Sequence, residues 1–266
     1  MEDFIKSLGA LKSSFDARDY QLVASTKNFP ESFLLPKVPV KNQGQVNSCV
    51  AHATSTVVEY HHMRQHNEKV SFSTEFIYGF RDIGYYVGKG MSIRNALRTL
   101  QKYGDVTTSI LPGNNEYQLA IENVNKNLEY YKDEAYNHRI TSYFRINDNN
   151  AVKTALMNHG YVIVSMKWHK NASLVDDIYN AGGSEAIGNH AVVICGWNKD
   201  GWIVQNSWGD LWGKAGRFIV PFDFKFNEMW GITDNITSNI KRPKTGKVWE
   251  FVYKIWNAIV NKFAGW

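Results

Sequence analysis

Apolar positions recur at helical spacing in three segments of the first half of the chain. From Cys49 to about Gln65, Val50, Ala53, Val57 and Tyr60 fall on one stripe, which predicts a helix opening at Ser48 or Cys49. Ser73-Thr74-Glu75 before Phe76, Ile77 and Phe80 reads as a short capped helix. Ser92 opens a third, with Ile93, Ala96, Leu97 and Leu100 on one face and Gly104 ending it. The later half changes period. Residues 161–164, 191–194, 202–204 and 217–220 are short β-branched or aromatic runs between turn residues, the pattern of strands. Helices first and strands later predict an α+β fold of two lobes, helical then β-rich, with a cleft between them. Residues 1–29 are poorly periodic and read as an arm lying on the body. Residues 30–40, punctuated by proline, read as extended chain. The polar, tyrosine-rich residues 113–160 give no assignable element.

Composition narrows the class. The 266 residues, 44% hydrophobic and 14% aromatic, can build a sizeable core and exclude a disordered chain. The division expected is an arm over 1–29, one domain over 30–240 and a tail over 241–266. The first residues lack the basic start and apolar run of a secretory signal. No stretch approaches the roughly 20 apolar residues of a membrane span. There are two cysteines, Cys49 and Cys195, too few for a secreted disulfide scaffold, and a reducing, cytoplasmic compartment is expected. The net charge of +5 sits entirely in residues 241–266. The balanced body therefore offers no nucleic-acid-binding surface on charge grounds.

Two clusters carry chemistry: Gln43-Gly44-Gln45-Val46-Asn47-Ser48-Cys49, and Asn189-His190-Ala191 followed by Asn206-Ser207-Trp208-Gly209. A thiol is a nucleophile as thiolate, and a helix N-terminus and a nearby imidazolium both favour that form. Cys49 opens the predicted helix, and His190 on a strand can supply the imidazole. Such a ring needs a third group to fix its tautomer, a part that Asn206 at the end of the next strand suits, with Trp208 shielding the bond from water. The intermediate's oxyanion needs donors, for which the Gln43 amide and the Cys49 N–H are candidates. This chemistry requires no metal or organic cofactor.

Together with Trp212-Gly213 and Gly216, these motifs over residues 30–222 resemble the papain family of cysteine peptidases. His190 and Asn206 follow the cysteine by about 140 and about 160 residues, against about 130 to 150 in papain-like enzymes. The resemblance implies a triad of Cys49, His190 and Asn206, with Gln43 as oxyanion donor and a protein or peptide as substrate. It also implies that Gly88-Lys89-Gly90-Met91 pairs with substrate backbone, so that Gly90, Met91, Asn189 and Ala191 bind substrate. Val46 replaces a disulfide cysteine usual in the family, Val50 a tryptophan and Asn47 a common glycine. The Val46 change fits microbial members lacking disulfides. Residues 1–29 are too few for the long inhibitory pro-domain of many members, so activation by shedding one is not expected.

Other features have plainer readings. Cys195 on an apolar strand reads as a buried small hydrophobe. His61, His62 and His66 lack further metal ligands and read as a solvated helix end. His52, His138, His159 and His169 have no evident partner. In the tail, Val248, Trp249, Val252, Ile255, Trp256, Ile259, Val260 and Phe263 form one stripe with Lys247, Lys254 and Lys262 off it. That basic amphipathic pattern over 247–266 suits a membrane surface or a protein partner as well as packing on the body. Two rival functions stand beside a peptidase: another Cys-His acyl-transfer enzyme (an amidase or transpeptidase), and a silent scaffold binding through the tail.

Overall fold

The computed structural model describes residues 8–24, 28–81, 90–113, 124 and 127–233, and the tail from 241 onward lies outside these residues. Its elements run in the order β1 (Ala10–Leu11), β2 (Tyr20–Gln21), β3 (Phe33–Leu34), α1 (Cys49–His66), α2 (Thr74–Gly79), β4 (Met91–Ser92) and α3 (Ile93–Lys102). There follow α4 (Leu128–Ala135), β5 (Tyr143–Ile146), α5 (Asn149–Asn158), β6 (Val162–His169), β7 (Ser173–Val175) and β8 (Ile178–Asn180). The last strands are β9 (Ala186–Asn198), β10 (Gly201–Gln205), β11 (Arg217–Val220) and β12 (Glu228–Ile232). The fold is α+β, helices early and sheet late.

The helices begin where local chemistry starts them. Ser73 and Ser92 accept from the Phe76 and Asn95 amides, satisfying orphan donors of α2 and α3. In α1 every residue from Cys49 to His62 is buried. The helix therefore runs through the core rather than along the surface, against α2, α3 and β9. His61 and His62 are buried with it, which corrects the solvated reading; only His66 of the three is exposed.

One sheet carries most strands, in the order β2-β5-β12-β6-β9-β10-β11-β8-β7, with β3 added to β9. Strand β9 is its spine, antiparallel to β6 and to β10. Residues His190 to Trp197 are all buried, the near-continuous apolar run of a strand covered on both faces. The stretch 113–160 proves to hold α4, β5 and α5. Asp148 caps α5 by accepting from the Ala151 amide at 2.8 Å. A polar run around that cap hides the start of the helix in the sequence.

The arm is threaded into this body. Strand β1 pairs in parallel with β4, and β2 pairs in parallel with β5 at the sheet edge. Between them Asp19 binds both Arg94 and Arg145, its side chain 7% exposed. The Ser13 amide donates to Glu228, and the Arg94 amide to the Ser13 hydroxyl.

Candidate active site

Cys49 is the first residue of α1, and its own amide and that of Val50 face its sulfur, as the open N-terminus of a helix dictates. A third donor comes from the sheet: the Ala191 amide, next to His190, also faces the sulfur. The packing of α1 on β9 thus brings the two sequence clusters together.

On β9 the His190 ring is wholly buried. Its Nε2 bonds Asn206 Oδ1 at 2.7 Å. The Ser207 amide donates to the same Oδ1 at 2.8 Å, which identifies that atom as the oxygen and makes His190 Nε2–H the donor. Nδ1 is then the basic nitrogen, buried and without a hydrogen-bond partner. The Trp208 ring stacks on the imidazole, centroids 4.7 Å apart at 23°, and Trp168 meets it edge-on at 5.6 Å. Trp208 is in position to keep water from the His190–Asn206 bond. Trp168 had no signal in the sequence: it lies beyond the strand predicted at 161–164 and is reached because β6 runs on to His169.

Gln43 is fully buried. Its Oε1 accepts from Ser207 Oγ at 2.5 Å, and its Nε2 donates one hydrogen to the Val46 carbonyl at 2.9 Å. Ser207 was quoted within a motif but not given a part, although the alternation of residues after a strand places it opposite Asn206.

The cleft is occupied by the chain itself. The Gly9 amide faces the Cys49 sulfur, the Gly9 carbonyl accepts from the Met91 amide at 3.0 Å, and Asn47 Nδ2 donates to the Leu8 carbonyl at 2.6 Å. Leu8 also lies against Gly188, where a Cβ would stand 2.9 Å from Leu8 Cδ1. Gly90 holds φ +70°, and a Cβ there would stand 2.4 Å from the Gly9 oxygen, so only glycine permits this approach. Of the expected substrate-binding residues, Gly90 and Met91 are therefore engaged with the arm. Ala191 faces the sulfur through its backbone, and Asn189 Oδ1 accepts from Asn227 Nδ2 at 2.9 Å. Gly88 and Lys89 lie outside the described residues.

This covering changes the electrostatics. Burial pushes the Cys49 thiol up to about 11 against its four amide donors. Burial likewise pushes His190 down to about 4 despite the Asn206 hydrogen bond. Both residues have no exposed surface, and desolvation disfavours both charged forms. The closed site holds a thiol and a neutral imidazole rather than the ion pair expected from the helix terminus and the ring. Gly9 presents an amide nitrogen to the sulfur while its carbonyl is held by Met91, so the arm is not aligned for attack.

Elsewhere, Cys195 is buried and donates to the Ile203 carbonyl at 3.3 Å, and both cysteines are free. His62 lies near His66 and His138, ring centroids 4.6 and 5.8 Å apart. Among the described residues no group of three His, Cys, Asp or Glu is arranged to hold a metal ion.

A helix-borne cysteine, a strand-borne histidine held by an asparagine and a buried glutamine on this α+β frame define a class, and the comparison agrees. Residues 34–240 match the family described as papain family cysteine protease, and the chain belongs to it. It is a cysteine peptidase, a hydrolase acting on proteins or peptides. Macrodontain-1 of Ananas macrodontes is 28% identical over 218 residues, 80% of this chain and 91% of that protein. An uncharacterized peptidase C1-like protein of Acanthamoeba polyphaga mimivirus is 26% identical over 230 residues, 74% of this chain and 71% of that one. In fold the chain is similar to Xylellain, a cysteine protease from Xylella fastidiosa. The TM-score is 0.74 at 19% identity, over 86% of this chain and 97% of that one.

Proposed function

We propose that the chain cleaves internal peptide bonds through a Cys49 acyl-enzyme. The observation that carries this reading is the His190 ring, tied to Asn206 through Nε2 while a buried, unpartnered Nδ1 remains for the thiol. Once the arm leaves, the thiol passes its proton to Nδ1 and the sulfur attacks the scissile carbonyl carbon. The developing oxyanion accepts from the Cys49 amide and Gln43 Nε2. Collapse of the intermediate breaks the C–N bond, and the Nδ1 proton goes to the leaving amine. Water, deprotonated by Nδ1, then opens the thioester and releases the acid. Gly90 and Met91, with Ala191 and Asn189 beside them, bind substrate backbone in the place the arm now takes.

The test is labelling and turnover with the full chain, both as it stands and as Gly9→Val. That substitution crowds the arm, because a Cβ on Gly9 would lie 2.1 Å from the Asn47 oxygen. A vinyl-sulfone peptide should label Cys49, and mass spectrometry of peptide products should show hydrolysis. Products joined to an added amine would favour an acyl-transferase. No labelling of either form, with the protein folded, would refute the reading.

The two free thiols support a reducing, cytoplasmic compartment. The apolar stripe and lysines of residues 247–266 support docking on a membrane surface. Equal liposome co-sedimentation of the full chain and of residues 1–240 would reject the membrane role.

A further inference from the structure

Trp168 takes no part in the chemistry above, yet its indole reaches the catalytic ring from the neighbouring strand. On β6 it stands opposite Gly188 of β9, and Met166 stands opposite His190. Trp168 and His190 therefore share one face of the sheet as diagonal neighbours, a spacing that aromatic side chains can bridge. Gly188 has no side chain to stand between them, and the ring centroids lie 5.6 Å apart at 84°. We propose that Trp168 is a positioning residue: it fixes the His190 ring in the plane that aims Nδ1 at the thiol. This inference rests on the peptidase reading and deepens it.

The bond from Nε2 to Asn206 fixes one point of the imidazole, and the stacked Trp208 covers one face. Both of those partners lie just beyond the end of β10, whereas Trp168 is built into a strand of the sheet. The indole also meets Trp208, with centroids 4.7 Å apart at 73°. It is 7% exposed. Trp168 is thus a wall carried by the sheet, against which the catalytic ring and its stacking partner both rest. Without that wall His190 has room to turn about its Nε2 bond and carry Nδ1 off line.

The local backbone is shaped for this task. The register between β6 and β9 shifts between Trp168 and His169, an irregularity of the kind that re-aims a side chain. Tyr179 of β8 holds both sides of it. Its hydroxyl accepts from the His169 amide at 3.2 Å and donates to the Lys167 carbonyl at 3.3 Å. With that proton committed, His169 Nδ1 is the donor to the same oxygen at 3.0 Å. The Tyr179 ring also packs on the indole, centroids 5.1 Å apart. One tyrosine therefore secures the backbone from which Trp168 projects.

The test uses the full chain carrying Gly9→Val, comparing Trp168→Leu, Trp168→Phe and Tyr179→Phe with that parent. Alkylation of Cys49 by iodoacetamide, followed against pH, reads the thiolate, which a well-placed imidazolium brings below the ordinary thiol range. In Trp168→Leu the midpoint should rise by about one pH unit as that pairing weakens. Its kcat should fall about 10- to 100-fold, as for a reacting group misplaced by about 1 Å. Trp168→Phe keeps an aromatic edge and should recover most of both. Tyr179→Phe removes only the hydroxyl, and its midpoint should rise by a smaller step. Lost packing alone lowers the folded fraction without moving the midpoint. A parental midpoint in folded Trp168→Leu, or no recovery in Trp168→Phe, would overturn the proposal. If Trp168→Leu does not fold, Tyr179→Phe decides, and a parental midpoint there would overturn it. Absence of hydrolysis by the parent would count against the peptidase reading, while the alkylation profile would still decide the role of Trp168.

Discussion

Gly9→Val gives the most direct access to the closed state. A Cβ at this position would stand 2.1 Å from the Asn47 oxygen and 2.7 Å from its carbonyl carbon, far inside van der Waals contact. Asn47 adjoins Ser48 and the buried start of α1, so the arm is the partner that yields. Overpacking of this kind costs about 1–3 kcal/mol. Opening breaks the Met91 amide and Asn47 side-chain bonds to Gly9 and Leu8 in parent and variant alike, so they do not add to the difference between the two. The substitution therefore shifts the open–closed balance by about 1–3 kcal/mol. Activity is proportional to the open fraction while that fraction is small, so kcat/KM should rise about 10- to 100-fold. The assay is hydrolysis of a fluorogenic peptide by the full chain, with iodoacetamide alkylation of Cys49 measured in parallel. Both should rise together. Gly113→Ala serves as control, its new methyl meeting Thr74 Oγ1 at an ordinary 3.5 Å. Parental rates of hydrolysis and alkylation in a folded Gly9→Val chain would show that the arm does not limit access to the sulfur.

Cys49→Ala and His190→Ala should abolish turnover in the Gly9→Val background, and Asn206→Ala should leave a measurable residue; equal loss in all three would mean Asn206 does more than orient the ring. Gln43→Ala should lower kcat about 10²-fold with little change in Cys49 alkylation, and a parental rate would show the amide is no oxyanion donor. Asp19→Asn strips a buried partner from Arg94 and Arg145 and should destabilise the fold by about 3 kcal/mol in urea titration while raising activity per folded molecule; unchanged stability would refute the role of Asp19 in holding the arm. Acid should also open the cleft. His190 falls from the ordinary 6.5 to about 4 when covered, so an uncovered ring binds its proton more readily between those values. The preference for the closed state is complete above about 6.5 and declines as pH falls towards 4. His52, also buried on α1 and close enough to feel His190, is held at about 3 and stays neutral through that window. Amide protection of residues 8–12, corrected for intrinsic exchange, should drop from pH 7 to pH 5, and constant protection would contradict this.

Much of the site was legible because each part sits where local pattern is strong. The stripe of Val50, Ala53, Val57 and Tyr60 predicted a helix opening at Cys49, and the strand run after His190 placed the ring on a sheet. Their meeting followed from the resemblance rather than from periodicity. What stayed illegible depends on contacts between distant segments. Residues 1–29 have no period, because residues 8–24 are held by backbone bonds, by buried charge pairs at Asp19 and by apolar contacts at scattered positions such as Leu8, Ala10 and Leu22. Asn47 was noted as a substitution for glycine, yet its grip on Leu8 could not be read from one chain position. The histidines were the hardest. His61 and His62 looked like a polar helix end, because a polar residue buried by the surrounding helices carries the same letter as a solvated one. His52 had no visible partner, since its ring meets the hydroxyl and the carbonyl of Ser48, one turn back at the cap of its own helix.

The route of residues 8–24 has a kinetic consequence. Strand β2 is built into the sheet edge, and residues 12–19 link it to the strip lying over the sulfur. The covering segment is therefore a leashed ligand, present at an effective concentration on the order of millimolar whatever the concentration of protein. Dilution should not wake the enzyme, and a free peptide of residues 8–12 should be a poor inhibitor once the leash is cut. A single nick between residues 12 and 19 would turn an intramolecular equilibrium into a bimolecular one and make the opening permanent.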